Sequence, residues 1–431
     1  MVIGTGLQDG YLNKDEIQAI VRDSLVSLAL DGKRVIVLIP DNTRTMPMPL
    51  MFDLFEELLS QRVSQLDYLV ALGTHQPLDD IQLSKLVGRS VIGGKVGCIQ
   101  IFNHEWDKPE SFVHIGTISK EEISQITGGL LSCDVPVQLN KRILEYDQII
   151  ICGPVFPHEV VGFSGGNKYF FPGIAGPEII NFTHWLGALI TSYKVIGTMM
   201  TPVREIIDRA ADLVSIPAAC FGLVVTHEGV AGVYFGPAKE AWHAAARLSN
   251  DRHIIYKDKL YKRVLSIIPE MYDDLWTAAK GMYKLEPIIE DGGEVVIYAP
   301  HIREVSYSHG KLIDEIGYHC RDYFLSQWEM FKDYPGGVLA HSTHVKGLGI
   351  YDPATGIETS RIRVTLATGI PAERCRRINL GYLAPENIKL NEWQDHDEEG
   401  ILVVPHAGEM LYRSRELNNP AGLISLTGLV A

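Results

Sequence analysis

Residues 33–40 (KRVIVLIP) form an unbroken β-branched, apolar run with no polar position to mark a solvent face. A half-buried strand alternates, so a run like this belongs to a strand covered on both sides, as in a parallel sheet between helices. Residues 49–61 then change to helical spacing, with Leu50, Phe52, Leu54, Leu58 and Leu59 apolar. Strand character returns at 66–72 (LDYLVAL), 146–152 (YDQIIIC) and 221–226 (FGLVVT). Strand, helix and strand in that order predict a parallel sheet with right-handed crossovers. The second half repeats the theme, with strands expected at 294–299 (EVVIYA), 337–340 (GVLA) and 400–405 (GILVVP) and helix over 313–331.

A chain of 431 residues is too long for one ordinary core. The charged, strand-poor stretch 251–270 places a boundary near residue 265. The expectation is an α/β protein of two domains, 1–265 and 266–431. Each would hold a mainly parallel sheet flanked by helices, with the active site in the interdomain cleft, and the last residues could return to the first domain. Hydrophobic residues at 46% and charged residues at 21% fit a globular chain. A net charge of −14 argues against a nucleic-acid partner, which needs a basic surface, though not against a small anion held by one or two local cations. The six cysteines, Cys98, Cys133, Cys152, Cys220, Cys320 and Cys375, include no CxxC pair, so zinc-knuckle and dithiol readings lack support. No apolar stretch reaches the ~20 residues of a membrane span, and residues 1–13 lack a secretory pattern. Cytoplasmic residence is the default expectation.

Polar residues cluster just after expected strand ends: Asp41-Asn42-Thr43-Arg44 after the first, Gly73-Thr74-His75 after the second, and His158 beyond 146–152. Ligands of open parallel sheets bind beyond the carboxyl ends of the strands, so these residues suggest one site. Each also has a plainer reading: Asp41 could cap a helix, Arg44 could be a solvated charge, and His75 could cap the next helix or bond a carbonyl. The densest segment is 156–185, FPHEVVGFSGGNKYFFPGIAGPEIINFTHW. Within it Ser164, Gly165 and Gly166 precede Lys168. The spacing is neither GxxxxGK[ST] nor GxGxxG, but paired glycines admit an anion close to backbone N–H groups, and Lys168 adds a charge or a nucleophilic amine. His184 follows near the end of a helix expected after the turn 172–177. Histidine exchanges protons near neutral pH and is the commonest transition-metal ligand. A phosphate loop with incidental histidines fits the same residues.

At DNTR (41–44), GTH (73–75), PHEVVGFSGGNKYFFPGIAG (157–176) and His184 the sequence resembles the lactate racemase family of 2-hydroxy-acid racemases and epimerases. The resemblance implies a nickel pincer nucleotide, a pyridinium-type mononucleotide whose sulfur-bearing arms hold nickel. By the same match Lys168 would carry the thioamide link and His184 would ligate the metal. His75 and His158 would be the acid/base pair, Asp41 would orient one of them, and Arg44 would grip the substrate carboxylate. Lys280 matches a lysine of the family near substrate and cofactor, whereas Thr277 stands where the family has glutamine. The implied partners are a small α-hydroxyacid and the proteins that make the cofactor. Hydride removal suits such a substrate because the carboxylate opposes a carbanion at C2; two near-neutral bases suit a reversible reaction.

Polar residues in the second half, among them His301, Arg303, Ser306, His309, Arg321, His341 and His344, would suit a sugar acid better than lactate, making an aldonate 2-epimerase the leading expectation. They could equally be solvated loops, and HSTH at 341–344 lies in a glycine-rich context that favours a loop. A short-chain hydroxyacid racemase is the alternative. A non-redox anion-binding protein or phosphate-loop transferase is the competing class. The absence of GxGxxG counts against a nicotinamide dehydrogenase.

Overall fold

The computed structural model describes residues 1–415. They form two compact units: 1–156, 163–180 and 199–252 make the first, and 157–162, 181–198 and the residues from 253 onward make the second. This differs from the expected single break near 265. The two excursions carry His158 and His184 out of the first unit and into the second.

The first unit is built on an eight-stranded sheet. Its strands in chain order are β1 (Ile3–Gly6), β2 (Arg34–Ile39), β3 (Gln65–Val70), β4 (Lys95–Val96), β5 (Ile99–Asn103), β6 (Gln148–Pro154), β7 (Ala218–Thr226) and β8 (Gly229–Gly236). They lie in the order β1-β8-β7-β6-β2-β3-β5-β4. The five central strands are mutually parallel, and antiparallel pairs close both edges. From β2 the chain steps one way through β3 to β5; β6 and β7 are then added on the other side of β2. The order therefore reverses between β2 and β6, the place where doubly wound sheets bind ligands. Val35–Ile39 are fully buried, as the unbroken apolar run requires. The helix Met48–Leu59 covers one face, with the Phe52 ring 4.8 Å from that of Tyr68 and Phe55 5.4 Å from Phe221. Each such ring contributes about 2–3 kcal/mol by leaving water.

The second unit holds a five-stranded, all-parallel sheet: β9 (Tyr261–Ile267), β10 (Ile289–Ala299), β11 (Arg363–Thr368), β12 (Gly381–Tyr382) and β13 (Ile401–Val404), in the order β12-β11-β10-β9-β13. The last described strand, Leu411–Ser414, pairs in parallel with Ile254–Lys257 at the start of this unit. The expectation for the chain's last residues falls on 416–431, outside the described residues.

Two expectations here need correction. Residues 337–340 are not a strand but part of the helix Gly336–Lys346, and the helix expected over 313–331 is three short ones, Gly310–Ile316, Arg321–Ser326 and Trp328–Phe331. The two glycines that open this helix serve close packing. A Cβ on Gly336 would lie 2.4 Å from the Asn181 carbonyl oxygen, and the Asn181 side chain accepts the Gly337 N–H at 3.0 Å. The start of this helix therefore rests directly on the helix Pro177–Ile190, whose Trp185 stacks on Trp328 at 5.3 Å. No described helix is long and apolar enough to cross a membrane.

Candidate active site

In the first unit, β2 delivers Asp41 and β3 delivers His75. The buried Asp41 carboxylate divides its oxygens. Oδ1 accepts the Thr43 N–H at 2.9 Å and the Thr43 hydroxyl at 2.6 Å, while Oδ2 lies 2.7 Å from His75 Nδ1. Neither cap reading holds. The helix Met48–Leu59 begins at Pro47 without a side-chain cap, and Asp79, not His75, caps Asp80–Val87. Burial alone would raise the Asp41 pKa, but the charge and hydrogen bond of His75, the Arg44 charge and the Thr43 hydroxyl outweigh it and hold the acid well below the usual carboxylate range. The carboxylate at Nδ1 favours the tautomer with the proton on that nitrogen and leaves Nε2 as the acceptor. Arg44 spans the strand-order reversal, its guanidinium 5.5 Å from the centre of the Phe156 ring beyond β6.

The glycine segment is held from behind. Gly165 and Gly166 have φ of 82° and 59°, and a Cβ on Gly166 would press to 2.8 Å against Trp242. Trp242 donates its indole N–H to the Ser164 carbonyl at 2.8 Å, and the fully buried Arg204 donates to the carbonyls of Phe163 and Gly165. The Arg204 guanidinium sits 4.1 Å from the Trp242 ring centre, and burial lowers its pKa to about 10. Sequence reading missed both residues; nothing near either in the chain marks them. The Ser164 hydroxyl is a latch that donates to the Pro154 carbonyl and accepts the Phe156 N–H. The N–H groups of Ser164 and Lys168 bond to Phe156 and Gly165 carbonyls, and that of Gly166 faces the Cys220 sulfur. These three donors are turned inward, which argues against the segment being a phosphate cradle. Lys168 itself lies half-buried on the turn Gly166–Tyr169.

In the second unit, buried His158 accepts the Val160 N–H at Nδ1, 3.2 Å away, with the Glu159 carboxylate 3.3 Å from the same nitrogen. Gly187 allows the helix Pro177–Ile190 to lie against this segment: a Cβ there would be 3.1 Å from the Val160 carbonyl oxygen. That helix carries half-buried His184 in its middle, not near its end. His341 and His344 are buried on the helix Gly336–Lys346, so the loop expected there is corrected. His341 Nε2 donates to the Trp276 carbonyl at 3.1 Å, and its ring stacks on the Trp276 indole at 3.9 Å. Burial lowers the His341 pKa to about 3 and that of His344 to about 4, so both are neutral at pH 7. Glu159 acts electrostatically on both, and His184 on His344.

Lys280 is buried with its Nζ 4.1 Å from the Tyr272 ring centre. The Thr277 hydroxyl is committed to the Asp274 carboxylate at 2.8 Å. Among the other polar residues expected at the site, His309 packs on Trp276 at 4.7 Å. His301 bonds the Tyr272 carbonyl, Ser306 accepts the His309 N–H, Arg321 pairs with Asp322, and Arg303 is exposed.

Residues 14–197 match the family profile of the lactate racemase N-terminal domain. The chain is 22% identical over 292 residues to the lactate racemase of Thermoanaerobacterium thermosaccharolyticum, covering 66% of this chain and 63% of that one. It is 28% identical to the lactate racemase of Lactiplantibacillus plantarum over 174 residues, 40% of this chain and 37% of that one. A crystal structure of a Thermotoga maritima protein aligns with a TM-score of 0.88 and 33% identity, covering 95% of this chain and 100% of that one. The lactate racemase apoprotein from T. thermosaccharolyticum shares the fold, with a TM-score of 0.67 at 18% identity over 92% of each chain.

Proposed function

We propose, from the match of residues 14–197 to the lactate racemase N-terminal domain, that the chain is an isomerase interconverting the two configurations at C2 of an α-hydroxyacid, with a polyhydroxylated sugar acid favoured over lactate. The observation that carries this reading is the Asp41–His75 pair, a base whose proton-bearing nitrogen is fixed by a buried carboxylate at 2.7 Å. His75 Nε2 would take the substrate hydroxyl proton. His158 would give or take the proton for the opposite configuration. It would donate as the imidazolium, with the Glu159 carboxylate 3.3 Å from its Nδ1, and return to the neutral ring as the proton leaves. In one direction His75 is thus the base and His158 the acid, and the roles exchange in reverse. Arg44 would fork the substrate carboxylate, and buried Lys280 would add a second cation.

The donor set suits a nickel pincer nucleotide. Among the described residues no three His, Cys, Asp or Glu side chains group to hold a metal, so a protein-only cage has no support. A cofactor that brings its own sulfur and carbon ligands needs only one imidazole, His184, and one amine for attachment, Lys168. When bound, the group supplies the hydride acceptor. Arg204 and Trp242 would fix the segment that presents Lys168.

The test is to co-express the protein with the cofactor-making enzymes, measure intact mass, and follow single stereoisomers of C2-deuterated gluconate and lactate. Inversion with deuterium retained at C2 and an adduct on Lys168 are expected. Loss of deuterium to solvent, or inversion by protein without adduct, would overturn the mechanism. Lactate inverted faster than gluconate would overturn the substrate preference.

A further inference from the structure

We propose that His341 Nδ1 receives a hydrogen bond from a substrate hydroxyl beyond C2, so that the substrate is a 2-hydroxy acid carrying at least one further hydroxyl. This rests on the racemase/epimerase reading. The ring is fixed on two sides, by its Nε2–H bond to the Trp276 carbonyl and by the flat stack on the indole, 7° from parallel. With the proton on Nε2 and the ring neutral, Nδ1 carries a lone pair. His341 is 8% exposed, and Nδ1 has no hydrogen-bond partner among the described residues. A buried acceptor without a donor is costly, so a ligand group that fills it is selected strongly over one that does not.

The surroundings define that group. Glu159, beside His158, acts electrostatically on His341, together with His344 and His309. His341 therefore belongs to the same patch as one of the two acid/base histidines. A lone pair on a neutral ring finds no proton on a carboxylate or phosphate, and it accepts one from a neutral hydroxyl. His344 Nε2, three residues further along the same helix, is likewise buried without a partner among the described residues. The Thr277 hydroxyl, bonded to Asp274, does not compete for the donor.

The test uses cofactor-loaded enzyme and His341→Phe, which keeps ring volume and stacking but removes the lone pair. The probes are gluconate and 2-hydroxyhexanoate. The expected result is that kcat/KM for gluconate falls about 10- to 100-fold, chiefly through KM, while that for 2-hydroxyhexanoate is unchanged or rises. Equal losses on both acids, or no loss on either, would overturn the proposal. Wild-type protein that inverts neither acid would instead remove the racemase reading. Should the variant fold poorly, ¹⁵N spectra of histidine-labelled wild type decide: gluconate must shift the His341 Nδ1 signal, and 2-hydroxyhexanoate must not.

Discussion

His75 in the first unit and His341 in the second are the same side chain placed under opposite electrostatics. His75 shares a hydrogen bond with a buried carboxylate that stays ionised, which favours the proton on Nδ1 and leaves Nε2 as the acceptor. His341 faces a carbonyl and an indole, and burial keeps it neutral, a fixed acceptor rather than a base. The comparison shows that a histidine's role follows from whether a formal charge lies on its second nitrogen. His104 supports the rule: buried, bonded to the Ala175 carbonyl and Asn140 amide, it too is lowered by desolvation, to about 4.

The sharpest way to break this contrast is Asp41→Asn. Without the anion His75 loses its fixed tautomer, and kcat should fall by about 10²- to 10⁴-fold with little change in KM. Wild-type turnover would show that the pair is structural. Arg204→Met tests whether the first unit depends on its buried cation. Stranding the carbonyls of Phe163 and Gly165 should cost about 3 kcal/mol by urea unfolding, and Lys168 adduct formation should fall with it.

Acid titration separates the two histidine environments by pH window. The folded pKa of His341 lies below the unfolded value, so the unfolded chain binds the proton first. Stability from neutral His341 is full above about pH 6.5 and declines as pH falls toward 3. Asp41 is also depressed, so its contribution is full above about pH 4 and is lost only below that. His341→Phe should therefore lose less stability than wild type between pH 7 and 5. Asp41→Asn should differ in slope only below about pH 4, with urea midpoints at pH 7, 5 and 3.5 as the measurement. The smallest expected effect is that of Ser164→Ala. Loss of the latch should cost about 1 kcal/mol while adduct formation on Lys168 persists. Abolished adduct formation in a stable variant would mean that the hydroxyl serves the cofactor.

The sheet of the first unit was legible because β2, β3, β6 and β7 are buried on both faces, and that burial writes itself as unbroken apolar runs. The residues following those strands were legible for the same reason, since strand ends locate them. The helix Gly336–Lys346 was not: its glycines answer to Asn181, remote in sequence, and its buried surface leaves no amphipathic period. Nor could local pattern find Arg204 and Trp242, whose partners are backbone carbonyls on another segment. The assignment of His158 and His184 to the second unit depends on packing through Gly187 and Gly336, a choice made by what those residues lack.

The divided carboxylate of Asp41 has a kinetic corollary. One oxygen clasps the turn that leaves β2 and the other the imidazole, so the ring cannot swing without loosening its own anchorage. Rotational freedom that a solvent-facing histidine would surrender on each encounter is already spent when the chain folds, and reorientation of this ring should not limit the rate at which successive molecules are turned over.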